Sequence, residues 1–245
     1  AATAAEQGYV IQSAGEFVVA HLRQVVEEHA PELLTRDATK KLLDRIRETS
    51  PALIDELIPQ KLQLSQVQQV LKRLLEEGVS IRNLPVILET LCDQATVHSN
   101  IDTLTEDVRR RLARSLSSQY RDARGEMFVV TLDADWERRL HDLVSSQRGL
   151  PYPTMTAEGT NRRRILDPDE KDALCRALRT ATQAFRRPNE KPILLVASAL
   201  RSLVRKTVES EFPKMPVLSY REISPDTHVH SLAVVGQDEE VVGSR

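Results

Sequence analysis

The side chains best suited to chemistry are six histidines, two short arginine runs and a scatter of carboxylates, and their spacing decides what each can do. His21 and His29 lie on one helical pattern but two turns apart, too far to share a metal; His98 and His141 stand alone. His228 and His230, two residues apart, project from the same side of a strand, as a zinc pair would. No cysteine or third ligand stands nearby in sequence, so they read as exposed strand histidines. Arg109-Arg110-Arg111 falls in a helical pattern and reads as a solvated face, and Arg162-Arg163-Arg164 as a solvated loop. Glu76, Glu77, Asp93 and Glu106 sit where helix ends and faces carry carboxylates. The chain has no phosphate-binding glycine loop, no dinucleotide fingerprint, no nucleophile elbow and no H-E-x-x-H zinc helix. The expectation is a protein that is not an enzyme and uses no cofactor or metal.

Composition narrows the class further. With 245 residues and a formal charge of -2, the chain can bury a core but lacks the basic excess of a general nucleic-acid binder, so no nucleic-acid partner is expected. Cys92 and Cys175 sit in separate helical patterns and read as reduced core residues of a reducing compartment. No apolar run reaches the roughly 18 residues that span a bilayer, and the opening AATAAEQGYV lacks the regions of a secretory signal. A soluble piece is expected.

The positioning elements follow from periodicity and punctuation. Gly8 to Ile11 reads as the tail of a strand. Ser13-Ala14-Gly15-Glu16 has capping-box spacing for a helix whose stripe includes Phe17, Val18, Ala20, His21, Val25 and Val26, closed by Pro31. Leu42, Leu43 and Ile46 share a face of a helix from about Asp37 to Thr49, and Ser50-Pro51 opens another. Ser65 is expected to cap a helix carrying Val67, Val70, Leu71, Leu74 and Leu75, which stops at Gly78. Leu84, Ile87, Leu88 and Leu91 form the next stripe, and a box at Thr103–Glu106 predicts one long helix to Tyr120. From Gly125 the period changes: strands are predicted at 127–132, 193–196, 217–220 and 229–235, alternating with helices capped by Asp133, Asp167 and Ser198. That alternation indicates an open α/β sheet with parallel crossovers. The connection before the last strand is short, so that strand is expected to run antiparallel. The fold class is thus α+β with several subdomains, an all-helical bundle followed by an open α/β domain; residues 146–166 read as an irregular loop.

Several of these segments, in order, resemble one bacterial family. Glu32-Leu33-Leu34, Leu42-Leu43-Asp44, Pro51 to Pro59, Val70 to Leu75 and Glu77-Gly78-Val79-Ser80-Ile81-Arg82-Asn83-Leu84 are similar to motifs of the large membrane export-gate family of flagellar and injectisome type III secretion. So are Leu104 to Tyr120 and Lys191 to Ser224. Asn83 stands where the family usually has aspartate, and the 145–166 region follows no family pattern.

The resemblance implies the cytoplasmic portion of an inner-membrane multi-pass protein, lying at the cytoplasmic face of the bacterial inner membrane. That portion is expected to form a nine-membered ring that docks export chaperones and secreted substrates, with ATPase-complex components as further partners. It implies subdomain limits of 1–29 for the end of the first cytoplasmic subdomain, 30–100 for the helical ring-contact subdomain, 101–124 for a connecting helix, 125–236 for the α/β subdomain and 237–245 for a tail. Glu16, Phe17, Ala20 and His21 become candidates for the edge of the chaperone groove, and Arg36, Arg45, Arg73, Glu76 and Arg82 for ring contacts. The ILETL motif and the ending EISPDTHVHSLAVVG lean to the flagellar branch; the injectisome branch is the alternative.

Overall fold

The computed structural model describes residues 13–148, 166–183 and 192–236, and the strand expected at Gly8–Ile11, the second arginine run, most of the irregular loop and the tail fall outside them. The chain divides into two compact units, residues 1–108 and 109–245.

The first unit is helical. Helix α1 (Ala14–Leu33) opens on the expected reciprocal box, in which Ser13 N donates to Glu16 Oε2 (2.8 Å) and Glu16 N to Ser13 Oγ (3.2 Å). It passes through Pro31 rather than closing there: the proline forfeits its bond to the Glu27 carbonyl and crowds it, and the helix ends within that turn, at Leu33. Thr35 caps α2 (Arg36–Thr49), and Pro51 supplies the first residue of α3 (Pro51–Leu57). Helix α4 (Leu64–Glu76) begins one residue before the expected cap Ser65. Gln63 holds the extended cap conformation, and its N–H donates to the Gln66 side chain at 2.8 Å. Gly78, at φ +69, ends α4 with a Schellman pair, Val79 N to Leu74 O and Gly78 N to Leu75 O. Leu57, Val67, Val70, Leu71, Leu74 and the α5 (Leu84–Gln94) residues Ile87, Leu88 and Leu91 are sealed from solvent and form the core.

Helix α6 (Ile101–Arg111) starts ahead of the expected Thr103 box, because Asn100 Oδ1 takes the N–H of Asp102 at 2.7 Å and starts the turn earlier. The predicted long helix is broken at Leu112, whose N–H bonds Arg109 O in a tighter turn, and α7 (Ala113–Tyr120) follows.

In the second unit, β1 (Glu126–Leu132), β2 (Ile193–Val196), β3 (Val217–Ser219) and β4 (His228–Val235) form one sheet in the order β3-β2-β1-β4. Every pairing is parallel, including β1 with β4, which corrects the antiparallel expectation for the last strand. The expectation assumed that β4 would lie beside β3. Instead the chain recrosses the sheet to the far edge: three strand spacings are about 14 Å, and the nine steps from Ser219 to His228 reach up to about 30 Å. On the way, Ile223 packs on the sheet face made by Met127, Val129, Ile193, Leu195 and Leu218. A bulge in β4 lies opposite Val129 and Val130.

The other face carries Val130, Leu132, Leu194, Val196, Val217 and Val235 beneath α8 (Ala134–Arg148), α9 (Pro168–Gln183) and α10 (Arg201–Val208). Asp133 caps α8 as expected, accepting from Trp136 N at 2.7 Å. Ser198 does not cap α10, which begins only after buried Leu200, where the intervening turn closes through Leu200 N to Ala197 O. A 3-10 turn, Tyr220–Glu222, follows β3.

Candidate interaction surfaces

Helix α1 carries the apolar stripe read from the sequence, yet no residue of the helix is buried. Val18, Leu22, Val25 and Leu33 follow one line along it, with Val19 and Val26 beside them, and all six are exposed. Phe17, 63% exposed, lies parallel to the ring of His21 one turn on, at 6.3 Å between centroids. A stripe of this size in water is the mark of a surface that meets another protein. Among the four edge candidates, the fold brings only Phe17 and His21 together. Glu16 is drawn back into the cap, where the Ser13 N–H and then its hydroxyl lower the carboxyl pKa. Ala20 is exposed about half a turn from the Val18–Leu22 line. Sequence reasoning left out Val19, Leu22 and Leu33; the i+4 step from Val18 finds Leu22, and Leu33 lies two turns beyond Val25 on the same side.

The ring candidates occupy separate places. Arg36 and Arg45 are exposed on α2, but nine residues of helix put them on opposite sides. Arg73 is held in a half-buried ion pair with Asp102. Glu76 is exposed at the end of α4, and Arg82 is exposed in the link to α5, its N–H donating to Ser80 Oγ at 3.4 Å.

In the second unit the first arginine run departs from its expectation. Arg110 and Arg111 are exposed, but Arg109 is 2% exposed, and its Nε donates to Glu222 Oε1 at 2.5 Å. Arg201 Nε stands 3.9 Å from the same oxygen, and both guanidinium groups donate to Val217 O, at 3.3 and 3.4 Å. Glu222 Oε2 accepts from Ser219 N at 2.6 Å, and Glu222 O accepts from Ser117 Oγ. Two cations around one carboxylate, all removed from water, anchor the turn after β3 beneath α7. The S-x-x-E spacing of Ser219 and Glu222 was the legible hint; Arg109 and Ser117 come from more than a hundred positions away, and Arg201 from the preceding helix. His228 and His230 are exposed on β4, with the His230 ring stacked on Phe128 at 5.2 Å and its Nε2 3.9 Å from Glu126. Among the described residues no helix is long and apolar enough to cross a membrane.

Residues 1–228 match the model of the FHIPEP family. The chain is 32% identical over 228 residues to the flagellar biosynthesis protein FlhA of Bacillus subtilis (strain 168), covering 93% of this chain and 32% of that protein. It therefore spans about a third of the length of such relatives. Among solved structures, the Chlamydia pneumoniae CdsV and CdsO protein complex matches with a TM-score of 0.80 at 25% identity, over 96% of this chain and 65% of the matched one. The nonameric EPEC SctV-C structure matches with a TM-score of 0.74 at 27% identity, over 90% of this chain and 63% of that one.

Proposed function

The chain belongs to the FHIPEP family, and from that membership we propose that it is the cytoplasmic portion of a flagellar type III export gate. In this reading it is a non-enzymatic subunit of a nonameric ring at the cytoplasmic face of the inner membrane, docking export chaperones with their substrates. The observation that carries it is the likeness to the nonameric EPEC SctV-C structure over 90% of the chain. A ring needs heterologous faces that close by rotation, and the exposed charged groups of the helical unit, Arg36, Arg45, Glu76 and Arg82, are suited to such contacts. Arg73 serves that face indirectly, by holding Asp102.

The exposed face of α1, with Phe17 and His21 at its margin and Glu16 and Ala20 behind, forms one wall of the chaperone-docking groove. An apolar wall suits amphipathic partners, which bury a helical face against it. The CdsV and CdsO complex supports a contact with a second protein in this family, and in this reading ATPase-complex components take that place. A specific observation favours the second reading, an injectisome gate: another solved match, the nonameric EscV cytosolic domain, comes from the type III secretion system. The higher identity to a flagellar relative favours the first.

Deleting the full gene in its native bacterium, and scoring swimming, filaments and secreted effectors together, tests the proposal. Loss of filaments and motility is expected. Motile cells that fail only in effector secretion would move the chain to the injectisome branch, and normal export of both kinds would end the proposal.

A further inference from the structure

Where the chain turns after α3, Lys61 reaches back to the carboxyl end of α5. Its Nζ donates to Glu56 Oε1 at 2.6 Å, to Cys92 O at 3.0 Å and to Cys92 Sγ at 3.4 Å. Cys92 is 4% exposed and not in a disulfide, while the Lys61 side chain keeps 22% of its surface in water. Any small oxidant must reach the sulfur from the Lys61 side, the wetter member of the pair, and a second protein thiol is screened out. A lysine nitrogen, a sulfur and a carboxylate meet at one point; Cys92 is buried at the edge of the helical core, and the proposed docking surfaces use none of the three.

We propose that this cluster is a redox-modification site at which a peroxide joins Lys61 Nζ to Cys92 Sγ. In the first step the sulfur attacks one peroxide oxygen: an S–O bond forms, the O–O bond breaks, and the thiol becomes a sulfenic acid as water leaves. In the second, the Lys61 ammonium loses a proton to water, and its nitrogen attacks the sulfur. An N–S bond forms, the S–O bond breaks, and the hydroxyl leaves as water with one further nitrogen proton. The net change consumes one thiol, one ammonium and one peroxide, and yields one sulfenamide, two waters and a proton; sulfur is oxidised by two electrons and the peroxide reduced by two. The nitrogen already touches the sulfur, so the second step is intramolecular and outruns further oxidation of the sulfenic acid. Burial raises the thiol pKa and the Lys61 hydrogen bond opposes that rise, so the first step is slow and responds to sustained peroxide rather than to traces. The bridge ties two points 31 residues apart, staples the turn after α3 to the end of α5, and is opened by thiols.

The test is peptide mapping of the full chain after hydrogen peroxide, beside a Lys61→Arg variant that keeps a cation on Glu56 but presents no amine. The parent should yield the Lys61 and Cys92 peptides joined, about 2 Da lighter than their sum, and separated by dithiothreitol. Its melting temperature should rise by about 5 °C or more on oxidation and return on reduction. The variant should show no joined peptide and no thermal shift, with Cys92 advancing to sulfinic and sulfonic acids. A parent whose Cys92 oxidises as the variant's does, or a joined pair heavier than the sum of its peptides, would overturn the proposal.

Discussion

Replacing Glu222 tests whether the buried ionic cluster sustains the α/β unit. The carboxylate faces Arg109 at 2.5 Å and Arg201 at 3.9 Å, and all three side chains are almost wholly out of water. Removing one member of such a set costs about 3–5 kcal/mol, because the remaining charges stay buried and lose that counter-charge. Glu222→Ala removes the carboxylate from two guanidinium groups and the acceptor from Ser219 N, so a loss of about 4 kcal/mol is expected. Glu222→Gln keeps the volume and an oxygen for Ser219 N, and should lose about 2 kcal/mol. Against a typical total of about 5–15 kcal/mol, the alanine variant is left marginal.

Trp136 is the only tryptophan and packs in the core of the same unit, so its fluorescence during urea unfolding reports this unit. At a slope of about 2 kcal/mol per molar urea, the midpoint should fall by about 2 M for alanine and about 1 M for glutamine. A shift below about 0.3 M for Glu222→Ala would refute the reasoning, since the two arginines would then be hydrated as fully without the carboxylate as with it.

Three further outcomes are expected. Gly236→Ala should destabilise the same unit by about 1–3 kcal/mol by urea midpoint, because φ is +105 and a Cβ would stand 2.7 Å from Trp136 Cδ1 and nearer still to Asp133 Oδ2. Asp226, whose carboxyl the Ser224 hydroxyl and then Arg121 hold down to about 2, supports the fold above the ordinary aspartate range and loses that support as pH falls through about 2. Its carbon-detected NMR titration should have its midpoint there, and Arg121→Gln should move the midpoint upward. Leu22→Gln with Val25→Gln should change the urea midpoint of the helical unit, followed by far-UV circular dichroism because Trp136 lies in the other unit, by no more than the equivalent of about 0.5 kcal/mol, since both residues are already exposed, while abolishing chaperone co-purification from cells carrying the full-length variant.

Much of the local structure was legible because it is written in neighbouring residues. The Ser13–Glu16 box, Pro51 at a helix start, the glycine stop at Gly78 and the Asp133 cap each depend on atoms within a few positions. The α4 stripe, Val67 to Leu74, and the strand character of 127–132 follow from periodicities of 3.6 and 2, which any core must respect. The stripe on α1 was legible as apolar spacing, while the candidate edge residues came from the family resemblance; that the stripe is exposed was visible only in the fold.

What tertiary structure alone decided involves distant partners. Arg109 looked like its exposed neighbours Arg110 and Arg111, and only the arrival of Glu222, 113 positions later, gave it a buried partner. The same holds for Lys61 and Cys92, which a helical hairpin brings together. The direction of β4 turned on which edge it joined: a nine-step link is short for a helical crossover but long enough to cross three strands in the open. Local caps and periodicities are short-range steric and hydrogen-bond rules, so residue types reveal them. Pairings between remote side chains depend on the assembled geometry, and no spacing in the chain records it.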